Sequence, residues 1–179
     1  MAPLVWLVTG ATGGIGTALV NNIAARGDKV IATGRKAEER IANIKSSNIA
    51  VLDLDVTAPT EEITAKVKAA VEVFGRIDVL VNNAGMASIV PLEDATEKFT
   101  SAIFNVNLFG AMRVTQAVLP YMREQKFGRI GFIGAGMAWQ PLPFLGHYAM
   151  TKAALNSTSP LPLYLSALGT TSSVSSTTV

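Results

Sequence analysis

The chain alternates short runs rich in β-branched residues with longer segments in which apolar residues recur every three or four positions. Runs of the first kind predict buried strands, and segments of the second kind predict helices with one apolar face. Alternation of the two is typical of parallel sheets, because each helix carries the chain back before the next strand begins. The sequence therefore predicts an α/β fold: a doubly wound parallel sheet between two layers of helices (αβα).

This alternation predicts individual elements. The strands are LVWLVTG, KVIATG, NIAVLDLD, IDVLVNNAG and GRIGFIG. The helix after the first strand is predicted to bury Ile15, Leu19 and Ile23. The apolar face of the helix after the third strand consists of Ile63, Val67, Val71 and Phe74. One long helical segment is predicted from about Glu97 to Lys126, with a kink at Pro120.

Composition and charge exclude several classes of protein. The formal net charge is only +2 and no basic run occurs, which argues against a nucleic-acid partner. With no cysteine and His147 as the single histidine, a disulfide, a thiolate nucleophile and a Cys/His metal cluster are excluded, and no metal site is predicted. The apolar start APLVWLV lacks a basic segment and is too short to span a bilayer. We therefore predict a cytoplasmic protein without a membrane partner.

The stretch TGATGGIG, from Thr9 to Gly16, lies between the first predicted strand and its helix. Glycines at this position let the backbone turn sharply and approach a pyrophosphate, whose charge the amides at the helix N-terminus can meet. The alternative is a tight turn without a ligand. Its place between a strand and a helix favours the first interpretation.

The second strand ends in TGRK, where an NAD-binding protein places an acidic residue for the ribose 2′-hydroxyl. This chain has Gly34 followed by Arg35. An arginine at this position can pair with a 2′-phosphate instead. The alternative is a solvated surface arginine.

Taken together, four motifs in the chain resemble the short-chain dehydrogenases/reductases. TGATGGIG is similar to the cofactor motif of that family, NNAG to the end of its fourth strand, NVNLFG to the helix that carries its structural asparagine, and YAMTK to its Tyr-x-x-x-Lys pair. They occur in family order between Leu4 and about Asn156. The resemblance implies a Rossmann-like, dinucleotide-binding domain over residues 1–156, followed by a Ser/Thr-rich tail over residues 157–179.

The resemblance also implies roles for individual residues. It implies a small-molecule substrate and NADP(H) as cofactor, because TGR is similar to the NADP-preferring members. Asn107 would hold a water in a proton relay, and Lys152 would hold the nicotinamide ribose. The residues implied to bind the cofactor are Gly10, Thr12, Gly13, Gly14, Ile15, Gly16, Arg35, Asp55, Val56, Asn83, Ala84, Gly85, Tyr148 and Lys152.

The chemistry of Tyr148 and Lys152 follows from their spacing, which places both on one face of a helix. A free tyrosine has a pKa of about 10 and is a poor base near neutrality unless positive charge favours its phenolate. The Lys152 ammonium is expected to lower the pKa of Tyr148. Tyr148 would then exchange a proton with a carbonyl oxygen as hydride arrives from the cofactor.

The catalytic serine of the family is missing. Counting back thirteen residues from Tyr148 gives Ala135, and its glycine neighbours carry no hydroxyl either. Loss of one hydrogen-bond donor to a developing oxyanion typically costs about 10²–10³ in rate. Ala135 therefore predicts impaired or altered chemistry rather than lost cofactor binding. A substrate hydroxyl, a water or His147 are the candidate replacements.

The run GAGMAWQPLPF has two interpretations. It forms either an apolar substrate wall, with Met137, Trp139 and Phe144 facing the nicotinamide, or loop residues that fill the core beneath a lid. On the first interpretation, the predicted substrate pocket consists of Ala135, Met137, Trp139, Phe144 and His147.

The sequence after Lys152 departs from the family. It contains no charged residue, and Pro160 and Pro162 interrupt what would be a long helix. The last one or two strands of the family's sheet are not recognisable, and TTSSVSSTTV is predicted to be disordered. The fifth strand is then an open edge or is covered by PLPLYLSAL or another chain. We predict a homo-oligomer, because the family associates through the helices that begin here near Glu97 and Tyr148.

Three hypotheses for function remain open at this point. The first is an NADP(H)-dependent carbonyl or alcohol oxidoreductase that acts on an apolar small molecule. The second is a non-redox relative, such as a cyclase, an isomerase or a ligand-binding protein, which Ala135 and the absent lid favour. The third is a partial domain that a partner chain completes.

Overall fold

The computed structural model of the chain describes residues 2–158 and 176–177. Its strands are β1 (Val5–Val8), β2 (Lys29–Gly34), β3 (Ile49–Asp53), β4 (Val79–Asn82), β5 (Arg129–Ile133) and β6 (Ser176–Thr177). They form one parallel sheet in the order β3-β2-β1-β4-β5-β6. The predicted doubly wound parallel sheet, with its five strands, is confirmed.

The helices are α1 (Gly14–Ala25), α2 (Ala37–Arg40), α3 (Thr60–Phe74), α4 (Glu97–Phe104), α5 (Ala111–Glu124) and α6 (Gly146–Asn156). The helical segment predicted from about Glu97 to Lys126 is confirmed as a continuous run, in which α4, a π-helix at Asn105–Gly110 and α5 follow one another without a break. Pro120 lies inside α5 and does not end it. Gly110 presses closely on the loop after β3, since a Cβ there would lie 2.7 Å from Val56 Cγ2.

Two apolar cores lie on opposite faces of the sheet. Leu7 and Ile31 belong to the core that α3 and α5 cover, whereas Val8 and Val30 belong to the core that α1 covers. Successive side chains of a strand point to opposite faces, so strands that are apolar throughout supply both cores. This arrangement confirms the predicted three layers.

The buried face of α1 differs from its prediction. The helix buries Gly16, Val20 and Ile23, whereas Ile15 is 43% exposed. Ile15 lies at the first turn of α1, which points toward a cavity rather than into the core. Apolar periodicity alone could not distinguish a core position from a cavity-lining position.

Beyond α6 only a short segment is described. Ser176–Thr177 pairs in parallel with Phe132 and Ile133 of β5 and so extends the edge of the sheet by two residues. The disorder of TTSSVSSTTV stays a prediction; its two described residues lie on the free edge of β5, whose backbone groups can pair with another segment. The rest of that stretch, and PLPLYLSAL, lie outside the described residues.

Within residues 2–158 and 176–177, no helix has the length and apolar character that crossing a membrane requires.

Candidate active site

A cavity of about 560 Å³ opens at the carboxyl ends of the strands. This is the edge at which parallel α/β sheets bind ligands, near the point where the strand order reverses between β1 and β4. We call the part of the cavity around the Gly10–Gly14 turn and Arg35 the glycine end, and the part around Tyr148 and Lys152 the tyrosine end. The cavity is lined by Gly10, Thr12, Gly13, Gly14, Ile15, Gly34, Arg35, Arg40, Leu54, Asp55, Val56, Thr57, Asn83, Ala84, Gly85, Met86, Ala87, Val106, Ile133, Tyr148 and Lys152.

The glycine-rich turn has a geometry that side chains would block. Gly10 has a φ of +65°, and a Cβ on it would lie 2.8 Å from Ala84 Cα. A Cβ on Gly16 would lie 2.2 Å from the Gly10 carbonyl oxygen. Gly13 and Gly14, by contrast, face open space. The turn therefore packs tightly underneath and leaves the N-terminus of α1 open to the cavity, where it can meet an anion.

Asn83 locks this turn to the loop after β4. Its side-chain amide donates hydrogen bonds to the carbonyl oxygens of Thr9 at 2.9 Å and Gly10 at 3.0 Å. In return, the hydroxyl of Thr9 accepts from the backbone N–H groups of Asn83 and Ala84, both at 3.0 Å. The two cavity-lining segments are thus held in a fixed relation by four hydrogen bonds.

Asp55 and Thr57 form one wall of the cavity. One carboxylate oxygen of Asp55 accepts from the Thr57 N–H at 2.9 Å and from the Thr57 hydroxyl at 2.7 Å. The other carboxylate oxygen has no hydrogen-bond partner among the described residues. This Asx-type turn fixes the carboxylate and leaves one oxygen available for a donor on a ligand.

Two arginines line the glycine end. Arg35 follows β2 as the sequence predicts, and Arg40, at the end of α2, is a residue that the sequence analysis missed. The guanidinium of Arg40 donates to the Thr12 hydroxyl at 3.0 Å and to the Thr12 carbonyl oxygen at 3.4 Å. In the sequence, the signal for Arg40 was its position five residues after Arg35. That spacing indicates a second cavity-lining arginine only when the short helix α2 between them is known.

Lys152 is buried on α6, with only 4% of its surface exposed. Its Nζ donates to the Ile133 carbonyl oxygen at the end of β5, at 2.6 Å. Burial disfavours the ammonium and lowers the pKa of Lys152 to about 8. Because Lys152 also lines the cavity, it presents a hydrogen-bond donor there. This donor loses its positive charge at mildly alkaline pH.

Tyr148 lines the cavity one helical turn before Lys152. The Lys152 Nζ lies 5.7 Å from the centroid of the Tyr148 ring. The expected lowering of the Tyr148 pKa is not found: burial disfavours the phenolate and raises the pKa of Tyr148. At neutral pH Tyr148 is therefore a protonated phenol, which can donate a proton.

Asn107 lies in the π-helix behind the cavity wall and is almost fully buried. Its side-chain oxygen accepts from the Met86 N–H at 2.8 Å. Its amide donates to the Met86 carbonyl oxygen at 2.8 Å and to the Thr151 hydroxyl at 3.0 Å. The Thr151 hydroxyl in turn donates to the Tyr148 carbonyl oxygen at 2.7 Å. The side chain of Asn107 thus connects the loop after β4 to the helix that carries Tyr148.

The five residues predicted to form a substrate pocket do not line this cavity. Ala135 is buried directly after β5, and Met137 lies in the short turn that follows. Trp139 and Phe144 are 78% and 57% exposed, because the loop between β5 and α6 carries them outward. This loop is joined to the loop after β4 by a hydrogen bond from the Val90 N–H to the Phe144 carbonyl oxygen, at 2.8 Å.

His147 lies on the opposite side of α6 from the cavity. Consecutive helical residues point about 100° apart, so Tyr148 faces the cavity while His147 packs on α4. Its Nδ1 lies 3.3 Å from the Thr100 hydroxyl, and its ring meets Phe99 edge-on at 5.9 Å. His147 is therefore not positioned to replace the missing serine.

Comparisons with known proteins agree with this geometry. Residues 4–160 match the family model described as short chain dehydrogenase. The chain is 36% identical over 155 residues to 3-ketodihydrosphingosine reductase of Bacteroides thetaiotaomicron, covering 87% of this chain and 55% of that protein. It is 36% identical over 158 residues to 11-beta-hydroxysteroid dehydrogenase 1A of Arabidopsis thaliana, covering 83% of this chain and 44% of that protein. The chain thus spans about half the length of these curated relatives.

Solved structures show the same fold. A short-chain dehydrogenase from Streptomyces avermitilis superposes with a TM-score of 0.87 at 33% identity, covering 97% of this chain and 64% of that one. The 3-ketoacyl-(acyl-carrier-protein) reductase from Brucella melitensis, complexed with NADH, superposes with a TM-score of 0.87 at 26% identity, covering 98% of this chain and 74% of that one.

Proposed function

Because the chain belongs to the short-chain dehydrogenase family, we propose that it is an NADP(H)-dependent oxidoreductase that reduces a carbonyl group or oxidises an alcohol on an apolar small molecule. One feature of the structure supports this above all: Tyr148 and Lys152 line the same cavity as the glycine-rich turn. A group that binds along this cavity can therefore reach both a phosphate-binding turn and a proton donor.

The residues present fit a dinucleotide. The open N-terminus of α1 at Gly13 and Gly14 would meet the pyrophosphate. The free carboxylate oxygen of Asp55 would accept from the adenine amine, and the Nζ of Lys152 would donate to the nicotinamide ribose. The close packing beneath Gly16 supports the same use of the turn, because it brings the backbone to the cavity floor without an intervening side chain.

Tyr148 is the proposed acid/base group. When bound, the cofactor supplies hydride to the substrate carbonyl carbon, or accepts it from the alcohol. In the direction of reduction, the Tyr148 hydroxyl donates its proton to the carbonyl oxygen, and solvent then restores that proton. Reduction starts from the phenol of Tyr148, whereas oxidation of an alcohol starts from its phenolate, which burial disfavours. Asn107 and Thr151 hold the helix that positions Tyr148.

The preference for NADP(H) over NAD(H) rests on the end of β2. Gly34 lines the cavity where a carboxylate would select the 2′-hydroxyl, and Arg35 follows it. A Cβ on Gly34 would lie 2.9 Å from Thr12 Cγ2, so the packing of Thr12 against β2 disfavours an acidic side chain there. A guanidinium beside this position is suited to a phosphate.

The apolar substrate class rests on the surroundings of α6. Trp139, Leu142 and Phe144 are exposed in the loop that leads into α6, two to seven positions before the start of this helix, which carries Tyr148. The names of two relatives, 3-ketodihydrosphingosine reductase and 11-beta-hydroxysteroid dehydrogenase, denote a ketone and a hydroxyl group on largely apolar molecules. We infer a substrate of similar polarity for this chain.

The test is the oxidation of NADPH by the purified chain in the presence of a panel of apolar ketones, compared with Tyr148→Phe. We expect the variant to lose about 10²–10⁴ in kcat, because the hydroxyl that donates the proton is removed. Tyr121→Phe is the matched control, since Tyr121 lies on α5 and packs against the core that α3 and α5 cover. An active Tyr148→Phe enzyme would contradict the proposed role.

We also propose that the chain forms a homo-oligomer through α4, α5 and α6. Phe109, Met112 and Met150 expose apolar surface on or beside these helices, which a second copy could cover. Native mass spectrometry tests this: a monomer at micromolar concentration would contradict it.

A further inference from the structure

Arg40 carries a charge that no carboxylate in the described part of the chain neutralises. Its guanidinium donates only to the hydroxyl and the carbonyl oxygen of Thr12, and both acceptors are neutral. The salt bridge found within residues 2–158 joins Arg76 to Asp78, on another part of the molecule. Arg40 nevertheless lines the cavity, so its free charge faces the space that a ligand would occupy.

Two acidic residues near Arg40, Glu38 and Asp53, are engaged with each other's segments. The Asp53 carboxylate accepts from the Glu38 N–H at 2.9 Å, and the Glu38 carboxylate accepts from the Asp53 N–H at 3.4 Å. Each carboxylate thus bonds the backbone of the other's segment, and this pair ties α2 to the end of β3. The helix that carries Arg40 is therefore fixed in place, while its guanidinium remains available.

Arg35 and Arg40 both line the cavity, at either end of a segment that contains α2. Two guanidinium groups around one space repel each other, and an anion between them removes that cost. A phosphate monoester suits such a pair, because its oxygens can accept from more than one guanidinium fork. The Thr12 hydroxyl, which Arg40 now contacts, becomes available as a third donor if Arg40 turns toward the anion.

We propose that Arg40 is a second specificity-determining residue for the cofactor, and that it binds the 2′-phosphate of NADP(H) together with Arg35. This inference rests on the proposed preference for NADP(H). Arg40 contacts the neutral acceptors of Thr12, and on binding NADP(H) it would exchange them for the phosphate. The glycine end then discriminates phosphate from hydroxyl with two arginines rather than one.

The experiment is isothermal titration calorimetry of the wild type and its variants with NADPH, NADH, adenosine 2′,5′-bisphosphate and 5′-AMP. The two adenosine nucleotides differ only in the 2′-phosphate and need no catalysis. The variants are Arg40→Ala, Arg40→Lys and Arg35→Ala. Arg26→Ala, an exposed arginine at the end of α1 that does not line the cavity, is the control.

We expect Arg40→Ala to weaken binding of NADPH and of adenosine 2′,5′-bisphosphate by about ten-fold, the effect of one charge-assisted hydrogen-bonded pair at an exposed site. Affinity for NADH and 5′-AMP should stay within about two-fold. The affinity of Arg40→Lys for NADPH and adenosine 2′,5′-bisphosphate should lie between those of the wild type and Arg40→Ala. Lysine keeps the positive charge but lacks the planar guanidinium that can donate to two phosphate oxygens at once. Arg26→Ala should match the wild type, and an unchanged thermal midpoint shows that the variants are folded.

Other outcomes would overturn the inference. Equal weakening of all four ligands by Arg40→Ala would mean that Arg40 only holds Thr12 and the turn. Loss of the NADPH preference in Arg35→Ala but not in Arg40→Ala would mean that Arg35 acts alone; the NADP(H) proposal would then stand without this one. A wild type that binds NADH as tightly as NADPH would refute both.

Discussion

The two ends of the cavity differ in how their polar groups are held. At the glycine end, short hydrogen bonds hold the backbone turns in place; they are made by the side chains of Thr9, Asp55, Thr57 and Asn83. The glycines of the turn let it pack directly against the loop after β4. At the tyrosine end, Lys152 bonds one carbonyl oxygen, and the Tyr148 hydroxyl has no hydrogen-bond partner among residues 2–158. The glycine end is preorganised for a ligand, whereas the tyrosine end depends on groups that a ligand brings.

The largest effect should follow from disturbing the tight packing of the glycine end. Gly16→Ala places a Cβ 2.2 Å from the Gly10 carbonyl oxygen and 2.7 Å from Asn83 Nδ2, so the turn must shift. We expect a loss of about 3 kcal/mol in the free energy of unfolding, measured with urea, and at least about ten-fold weaker binding of NADPH. Gly146→Ala is the control, because a Cβ there meets open space. A fully stable Gly16→Ala would show that this end is less rigid than its contacts indicate.

A smaller effect, of opposite sign, is expected at the tyrosine end. Ala135→Ser supplies the hydroxyl that the loop after β5 lacks. If the missing donor limits the reaction, kcat should rise by up to about 10²-fold with no change in the affinity for NADPH. Ala138→Ser, three positions further along the same loop, is the control. A rate that does not rise would indicate that another group already stabilises the substrate oxygen.

The smallest effect concerns the buried charge of Lys152. Its pKa is about 8 in the folded chain and 10.5 in the unfolded chain, so between pH 8 and pH 10 the unfolded state binds more protons. The free energy of unfolding should therefore rise with pH across this window, by about 2 kcal/mol. In Lys152→Met this contribution should vanish. Identical slopes for the two proteins, measured by urea unfolding at pH 8 and pH 10, would show that the lysine is more solvated than its burial indicates.

The sequence predicted the glycine end better than the tyrosine end, for a physical reason. A glycine-rich turn is a local structure: the residues that need positive φ or close approach are those of the motif itself, as Gly10 and Gly16 show. The surroundings of Tyr148 are contributed by distant segments. Trp139 and Phe144 were predicted to face the cavity, but the path of their loop carries them outward.

Some contacts and surroundings of the site could be found only once helices had been placed against the sheet. Arg40 lines the cavity because the short helix α2 returns the chain to the end of β2. Asn107 meets Met86 because a π-helix sets its direction, and the 3.6-residue periodicity of the sequence contains no sign of that turn. The raised pKa of Tyr148 likewise results from burial, which the spacing to Lys152 does not reveal.

The sequence by itself determined the order of strands and helices, the glycine-rich turn and the placement of Tyr148 and Lys152 on one helical face. These features depend on periodicity and on backbone preferences within a few residues. Only the tertiary structure decided that Ile15 faces a cavity while Val20 faces the core, that His147 points away from Tyr148, and that Arg40 lies beside Thr12. These orientations depend on packing between segments that are far apart in the chain, so local sequence patterns do not predict them.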